Sequence, residues 1–261
     1  MNRLRISPEA LAKRRFLRRA LGGGGALLVG GCDRLGENES FAKLLSAGEA
    51  LSRGVRDAGG VTMAQEFTPA DLSPSFRGNG NTDPDDEDYK AMVATGFADW
   101  KLVVDGLVDA PASLSLADLR AMPARTQITR HDCVEGWSAI GQWTGVPLAH
   151  VLERVKPKPA ARYVVFHCAD SFAEEDGDTP YYESIDMRDA YHPQTLLAYA
   201  LNDKTLPVTN GAPLRLRVER QLGYKQAKYL MRLELVADFS DIGEGKGGYW
   251  EDQGYQWYAG I

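Results

Sequence analysis

In the run Thr129-Arg130-His131-Asp132-Cys133-Val134-Glu135-Gly136-Trp137-Ser138 a strand-like alternation stops in a polar, glycine-bearing turn, and Cys133 stands at its mouth. A thiol on a loop among ionisable neighbours has the chemistry of a thiolate, a nucleophile and a ligand for soft or thiophilic metals. His131, two positions earlier on the strand, shares its face, so a Cys–His hydrolase pair is one reading, although no oxyanion-forming or substrate signature accompanies it. A small buried hydrophobe is the bland alternative for Cys133. The three cysteines, Cys32, Cys133 and Cys168, are too few and scattered for a disulfide framework, and no spacing marks a zinc site. A single Cys133–Cys168 bridge stays open for an exported chain.

A second cluster lies between Arg215 and Lys228, where Arg215, Arg217, Arg220, Lys225 and Lys228 surround the turn Gln221-Leu222-Gly223-Tyr224 with Glu219 as the only acid. Five cations in so short a stretch of an acidic protein point to a bound anion. Alternation in Leu214-Arg215-Leu216-Arg217-Val218 puts both guanidinium groups on one strand face, where such groups grip phosphate bidentately. Just before it, the turn Thr209-Asn210-Gly211-Ala212-Pro213 offers an amide to a heterocycle. The glycine-rich Gly243–Gly248 lacks the Ser/Thr and helix of a phosphate loop. His150, His167 and His192 have no ligand-spaced partner and are read as structural.

These residues need a scaffold, and after Tyr89 the texture is that of short β runs between turns: Trp100–Val104, Gln127–His131, Tyr163–His167, Leu196–Ala200, Leu214–Glu219 and Tyr229–Val236. Two helices interrupt them. One opens at Ser115, with Asp118 three residues on as in a capping box, and one runs from Pro147 to about Val155. No strand–helix–strand repeat occurs, so the expected class is α+β with a mixed, strand-rich sheet.

Charge and the N-terminus bound the rest. The chain has 30 Lys and Arg against 36 Asp and Glu, yet residues 1–31 hold seven of the cations and one acid, leaving 23 against 35. So acidic a remainder is unsuited to nucleic acid. Lys13-Arg14-Arg15-Phe16-Leu17-Arg18, followed by a weakly apolar run with four glycines, resembles a twin-arginine export signal, and the run is too short to span a bilayer. Val29-Gly30-Gly31-Cys32 resembles a lipobox, with Cys32 as the lipid anchor; cleavage by an ordinary signal peptidase is the alternative. The expected domains are a signal over 1–32, a tether over 33–72 and a catalytic domain over 73–261. Twin-arginine export carries folded proteins, which raises the expectation of a cofactor.

Taken together, Cys133–Ser138, Trp143–Leu148, Asn210–Arg215 and Gly223–Lys228 resemble, in order and spacing, the sulfite-oxidase family of molybdopterin enzymes, and most of all its bacterial periplasmic branch, which includes the methionine-sulfoxide reductase catalytic subunit. The resemblance covers residues 73–261. It implies a molybdenum-molybdopterin cofactor, with Cys133 the protein ligand to the metal and the pterin dithiolene supplying two more sulfurs. It implies that Asn210, Arg215, Lys225, Gln226, Ala227 and Lys228 hold the pterin and its phosphate, with Cys168 where the branch has a pterin-contacting Thr. Asn79 corresponds to an early cofactor contact, Arg77 faces substrate, His131 tunes the site, and Tyr255 donates a proton. The segment after Cys133 lacks the arginine-bearing sequence of animal and plant sulfite oxidases, and the chain ends without the family's common dimerisation domain. The expected protein is therefore a monomeric periplasmic catalytic subunit. It would reduce a small S-oxide or N-oxide with electrons from a membrane haem protein or a cytochrome. Sulfite oxidation, or a non-catalytic lipoprotein that keeps the fold, is the alternative.

Overall fold

The computed structural model describes residues 39–174 and 177–261, so the export signal and the lipobox at Cys32 lie outside the described residues. The chain divides into two units, residues 1–58 and 59–261. The described part of the first is one helix, α1 (Glu39–Ala58), within the span expected to be an unstructured tether. Its Ala, Leu, Glu, Lys and Arg content favours a helix. Gly48 and Gly54 mask that signal in the sequence.

The second unit begins at Gly59, earlier than the expected boundary at residue 73. The intervening residues are held by backbone pairing: Phe67 donates to the Ile128 carbonyl at 2.8 Å, Ala64 donates to Gln194 Oε1 at 2.7 Å, and Glu66 bridges Thr129. An extended segment whose backbone bonds go to a strand edge is part of the domain, however polar its side chains.

Two five-stranded sheets make up this unit. The first runs β2 (Ala112–Ser115), β1 (Lys101–Gly106), β10 (Leu230–Val236), β5 (Tyr163–Glu174) and β6 (Gly177–Asp186), with β1 and β10 parallel and the other pairs antiparallel. The second runs β3 (Arg125–Cys133), β4 (Trp137–Pro147), β7 (Leu196–Leu201) and β8 (Lys204–Thr205), with β9 (Arg215–Arg217) also on β7. Helix α2 (Glu87–Ala94) precedes β1; α3 (Leu116–Arg120), α4 (Leu148–Val155) and α5 (Met187–Ala190) connect strands; and α6 (Tyr249–Asp252) follows β10. The class is the expected α+β. The capping box is present: Ser115 Oγ accepts from Asp118 N at 3.1 Å and Asp118 Oδ2 from Ser115 N at 2.9 Å.

Apolar side chains of both sheets meet in one core, which includes Leu102, Val104, Val164, Phe166, Leu197, Leu216 and Leu233. Helix α4 caps it with Leu148, Val151, Leu152 and Val155, the i, i+3, i+4, i+7 stripe of an amphipathic helix. Gly145 lets β4 and β7 close at a bulge, because a Cβ there would strike the backbone of Leu197 and Ala198. Under β9 lies a smaller cluster of Trp143, Ala198, Leu201 and Leu206, with Phe76 against it. Its Trp143 ring carries the two strand arginines, Arg215 and Arg217.

Candidate cofactor and active site

The β3–β4 hairpin sets Cys133. Its loop is Val134-Glu135-Gly136, with Gly136 at φ +85°, the left-handed conformation that closes a three-residue hairpin loop, and Cys133 pairs with Trp137 across it. Cys133 is 8% exposed, and burial pushes its thiol pKa up while Arg77 and Lys228 pull it down. Alone the group is therefore a thiol, and a soft metal would have to displace its proton. Cys133 and Cys168 are both free, so the disulfide reading is set aside.

Asn79, Cys133, Gln226, Lys228 and Tyr255 share one cavity of about 160 Å³, which Glu135, Asp170, Phe172, Tyr181 and Trp250 also line. Tyr255 is 40% exposed at its mouth, its ring against Tyr224 at 5.3 Å and Trp250 at 5.2 Å. Arg77 is exposed beside it, its guanidinium 5.5 Å from the Trp137 ring.

Beneath the cavity the two strand arginines do share a face, both stacked on the buried Trp143, at 5.0 Å for Arg215 and 4.4 Å for Arg217. Their roles differ. Arg217 is neutralised, with Nη2 on Glu219 Oε2 at 2.5 Å and Nη1 on His131 Nδ1 at 3.0 Å. Arg215 is fully buried with only carbonyls for partners, donating to Asn210 O at 2.8 Å and Gln226 O at 3.3 Å. Burial, and Arg217 alongside, pull its pKa down. A guanidinium keeps its proton even so, and a buried cation without an anion is costly.

Lys228 is the second such cation. Its ammonium donates to the Asn79 carbonyl at 2.6 Å and to that of Asn81, and burial and Arg215 bring it down to about 8. Lys225 is different: its buried ammonium lies between Glu183 and Glu251, so its side chain belongs to an internal ion cluster and not to the cavity. Of the five cations read as an anion site, Arg215, Arg220 and Lys228 have no carboxylate within ion-pair distance among the described residues, and of these three only Arg215 and Lys228 are buried.

His131 is fully buried. Arg217 can only donate, so His131 Nδ1 is the acceptor and Nε2 carries the hydrogen. Burial first, then Arg217 and Arg215, hold the ring well below the ordinary histidine pKa. With one nitrogen occupied and the other protonated, the ring cannot accept a proton from Cys133, which removes the Cys–His hydrolase reading.

The fit of a pterin cofactor can be judged from buried polar atoms that the protein leaves unsatisfied, because native proteins seldom leave them so. Among the described residues they include Asn79 Oδ1, His131 Nε2, Asp170 Oδ1, Asn210 Nδ2, Arg215 Nε and Gln226 Oε1. Donors and acceptors both occur, as a heterocycle carrying a phosphate requires, and the residues present fit the group. Ala227 is buried and contributes backbone, its carbonyl accepting from Leu216 N at 2.8 Å. Cys168 lines a separate groove of about 940 Å³ between β5, β6 and β10, with Sγ facing the Phe166 carbonyl at 3.8 Å. In that groove His167, Glu234 and Arg232 pair with one another, His167–Glu234 at 2.9 Å and Arg232–Glu234 at 2.9 Å.

Sequence reasoning missed Asp170, which is 3% exposed and whose carboxyl burial pushes up to about 7 against the opposing pull of Lys228. Nothing in Cys168-Ala169-Asp170-Ser171 marks it: Asp170 lies in the irregular stretch of β5 between His167 and Ser171, and pairing with the segment entering β10, Ala169 N on Tyr229 O at 3.0 Å, accompanies its place in the cavity with Lys228 and Cys133. It also gave no role to Trp143, Glu183 or Glu251.

The family model for the oxidoreductase molybdopterin binding domain matches residues 90–242. A putative protein-methionine-sulfoxide reductase subunit YedZ1 of Azospira oryzae is 38% identical over 97% of this chain and 89% of its own. A protein-methionine-sulfoxide reductase catalytic subunit MsrP of Xanthomonas campestris is 36% identical over 81% of this chain, which spans 66% of that relative's length. Among solved structures, the sulfane dehydrogenase SoxCD of Paracoccus pantotrophus aligns over 58% of this chain and 44% of its own, at 20% identity and a TM-score of 0.46. The extent of the family match and the identity to these relatives make the chain a molybdopterin-dependent oxidoreductase of the sulfite-oxidase family.

Proposed function

We propose that this protein is an exported catalytic subunit that removes the oxygen from a small S-oxide or N-oxide. The observation that carries this reading is the single cavity in which the Cys133 thiol meets the Lys228 ammonium and the unsatisfied polar atoms of Asn79 and Gln226. Cys133 would ligate molybdenum, while Arg215 and Lys228, with Asn210, Gln226 and Ala227, would hold the pterin and its phosphate. When bound, the cofactor supplies oxygen-atom and two-electron chemistry. The protein binds and orients the substrate, excludes water and moves protons.

For a thioether product the balance is R₂SO + 2H⁺ + 2e⁻ → R₂S + H₂O. The Tyr255 hydroxyl at the mouth is placed to hand over one proton. Electrons would come from a membrane haem protein or a cytochrome, since the sequence has no haem-attachment motif. Val134, Phe172, Trp250 and Tyr255 give the cavity an apolar side, and Arg77 lies over the ring of Trp137, the residue paired with Cys133. That lining suits a thioether S-oxide better than a sulfite dianion, and the names of the relatives point the same way. No helix among the described residues is long and apolar enough to cross a membrane, and the twin-arginine-like N-terminus supports export to the periplasm. A lipid on Cys32 would hold the subunit at the membrane.

The test is turnover of holoenzyme with methionine sulfoxide and a reduced viologen dye. The expected result is sulfoxide-dependent dye oxidation that Cys133→Ser abolishes. Turnover of sulfite with cytochrome c, and none of sulfoxide, would overturn the reading.

A further inference from the structure

Helix α1 (Glu39–Ala58) has two unlike sides. At about 100° per residue, the positions of Phe41, Leu44, Leu45, Gly48, Leu51 and Val55 fall within an arc of roughly 120°, and all six charged residues of the helix fall outside it. A helix that folds onto a protein core turns such a stripe inward. In α1 the order is reversed. Leu51 is 70% exposed and Val55 66%, the two most exposed large apolar side chains among the described residues, while Arg56, on the charged side, is 7% exposed.

The exposure continues along the chain. Of the nine large apolar side chains that stand exposed among the described residues, four are Leu51, Val55, Val61 and Met63, within a stretch of 13 residues. Single exposed apolar residues are ordinary, but a run of them on and just after an amphipathic helix marks a surface made to leave water.

Charge and the preceding sequence say what covers it. Lys43, Arg53 and Arg56 balance Glu39, Glu49 and Asp57, so α1 has no net charge and offers neither an anionic nor a cationic partner an electrostatic hold. It starts seven residues after Cys32, the lipobox cysteine outside the described residues, and so within about 25 Å of extended chain from that position. Six charges in 20 residues forbid a course across the bilayer, and no helix among the described residues is long and apolar enough for one. A course along its surface meets neither objection.

We propose that α1 is an interfacial helix that lies flat on the periplasmic surface of a phospholipid bilayer, with Leu51 and Val55 at the boundary between headgroups and acyl chains. The inference goes beyond the catalytic reading and shares with it only the export of the chain. A bound α1 confines the catalytic unit to the bilayer surface, which raises its effective concentration near a membrane electron donor.

The test is flotation of the mature chain, residues 33–261 with cofactor and no acyl group, on vesicles of phosphatidylethanolamine and phosphatidylglycerol. Wild type is expected to float with the vesicles and to stay bound in about 0.5 M sodium chloride, because the contact is apolar. Leu51→Gln with Val55→Gln, which keeps good helix formers in α1, is expected to bind roughly tenfold or more weakly. Leu51→Met with Val55→Leu, which keeps the apolar area, binds as wild type does. Far-UV circular dichroism and bound molybdenum are the same in all three proteins, which separates lost docking from misfolding. Wild type that stays at the bottom of the gradient, or that floats no better than the Leu51→Gln, Val55→Gln variant, overturns the inference and leaves the catalytic reading standing. Release by salt overturns it in favour of a charged surface. A wild type that is dimeric without vesicles, and monomeric once both substitutions are made, overturns it by giving the face to a second copy of the chain.

Discussion

Arg217 donates from Nη1 to His131 Nδ1 at 3.0 Å, and this bond sets the tautomer of a fully buried imidazole at the foot of the candidate site. Because burial and the arginines depress its pKa below the ordinary 6.5, the ring is uncharged at pH 7 and stays so at pH 6. Nitrogen-15 NMR of labelled protein will show His131 as the neutral Nε2–H form at both values. An imidazolium signal at pH 6 contradicts the assignment.

Gly223 faces that same ring. A Cβ there would come within 2.5 Å of His131 Nε2, and the ring, packed between Trp137 and Phe76, has nowhere cheap to go. Gly223→Ala should cost about 1–3 kcal/mol of stability, read from denaturant unfolding. Gly136→Ala is the control: it meets no atom within 4 Å, and its strain comes from backbone conformation alone.

The buried Lys225 cluster holds the chain on either side of the cavity together, joining β6 through Glu183 to α6 through Glu251. Burial and the like charge of Glu251 raise the pKa of Glu183 well above normal, while Lys225 opposes them. Removing one carboxylate with Glu251→Gln leaves the lysine one partner. Removing both leaves an uncompensated ammonium. The double variant with Glu183→Gln should lose about 3–5 kcal/mol, more than the two single losses added together. Additive single effects in a double-mutant cycle would show that the three charges do not act as a unit.

The elements that carry strong local signals were legible in the sequence. The Ser115–Asp118 capping box and the apolar stripe of α4 show directly in residue spacing, and the Leu214–Val218 alternation predicted the shared face of Arg215 and Arg217. What escaped depends on pairing between distant segments. Residues 59–72 read as linker because their order comes from bonds to β3 and Gln194, not from their own periodicity. The same reason divides the five cations of Arg215–Lys228. Only the fold shows that Glu183 and Glu251, far away in sequence, neutralise Lys225 and leave Arg215 and Lys228 for a ligand. Asp170 lay hidden because one aspartate in a strand carries no signal until its register is known.

Molybdenum K-edge X-ray absorption on wild type and Cys133→Ser, both matured in a pterin-producing host, bears most directly on the central assignment. If Cys133 is the protein ligand, the variant will show one fewer Mo–S bond than wild type and will lose sulfoxide turnover. An unchanged sulfur count in the variant would place the metal on some other group and contradict the account.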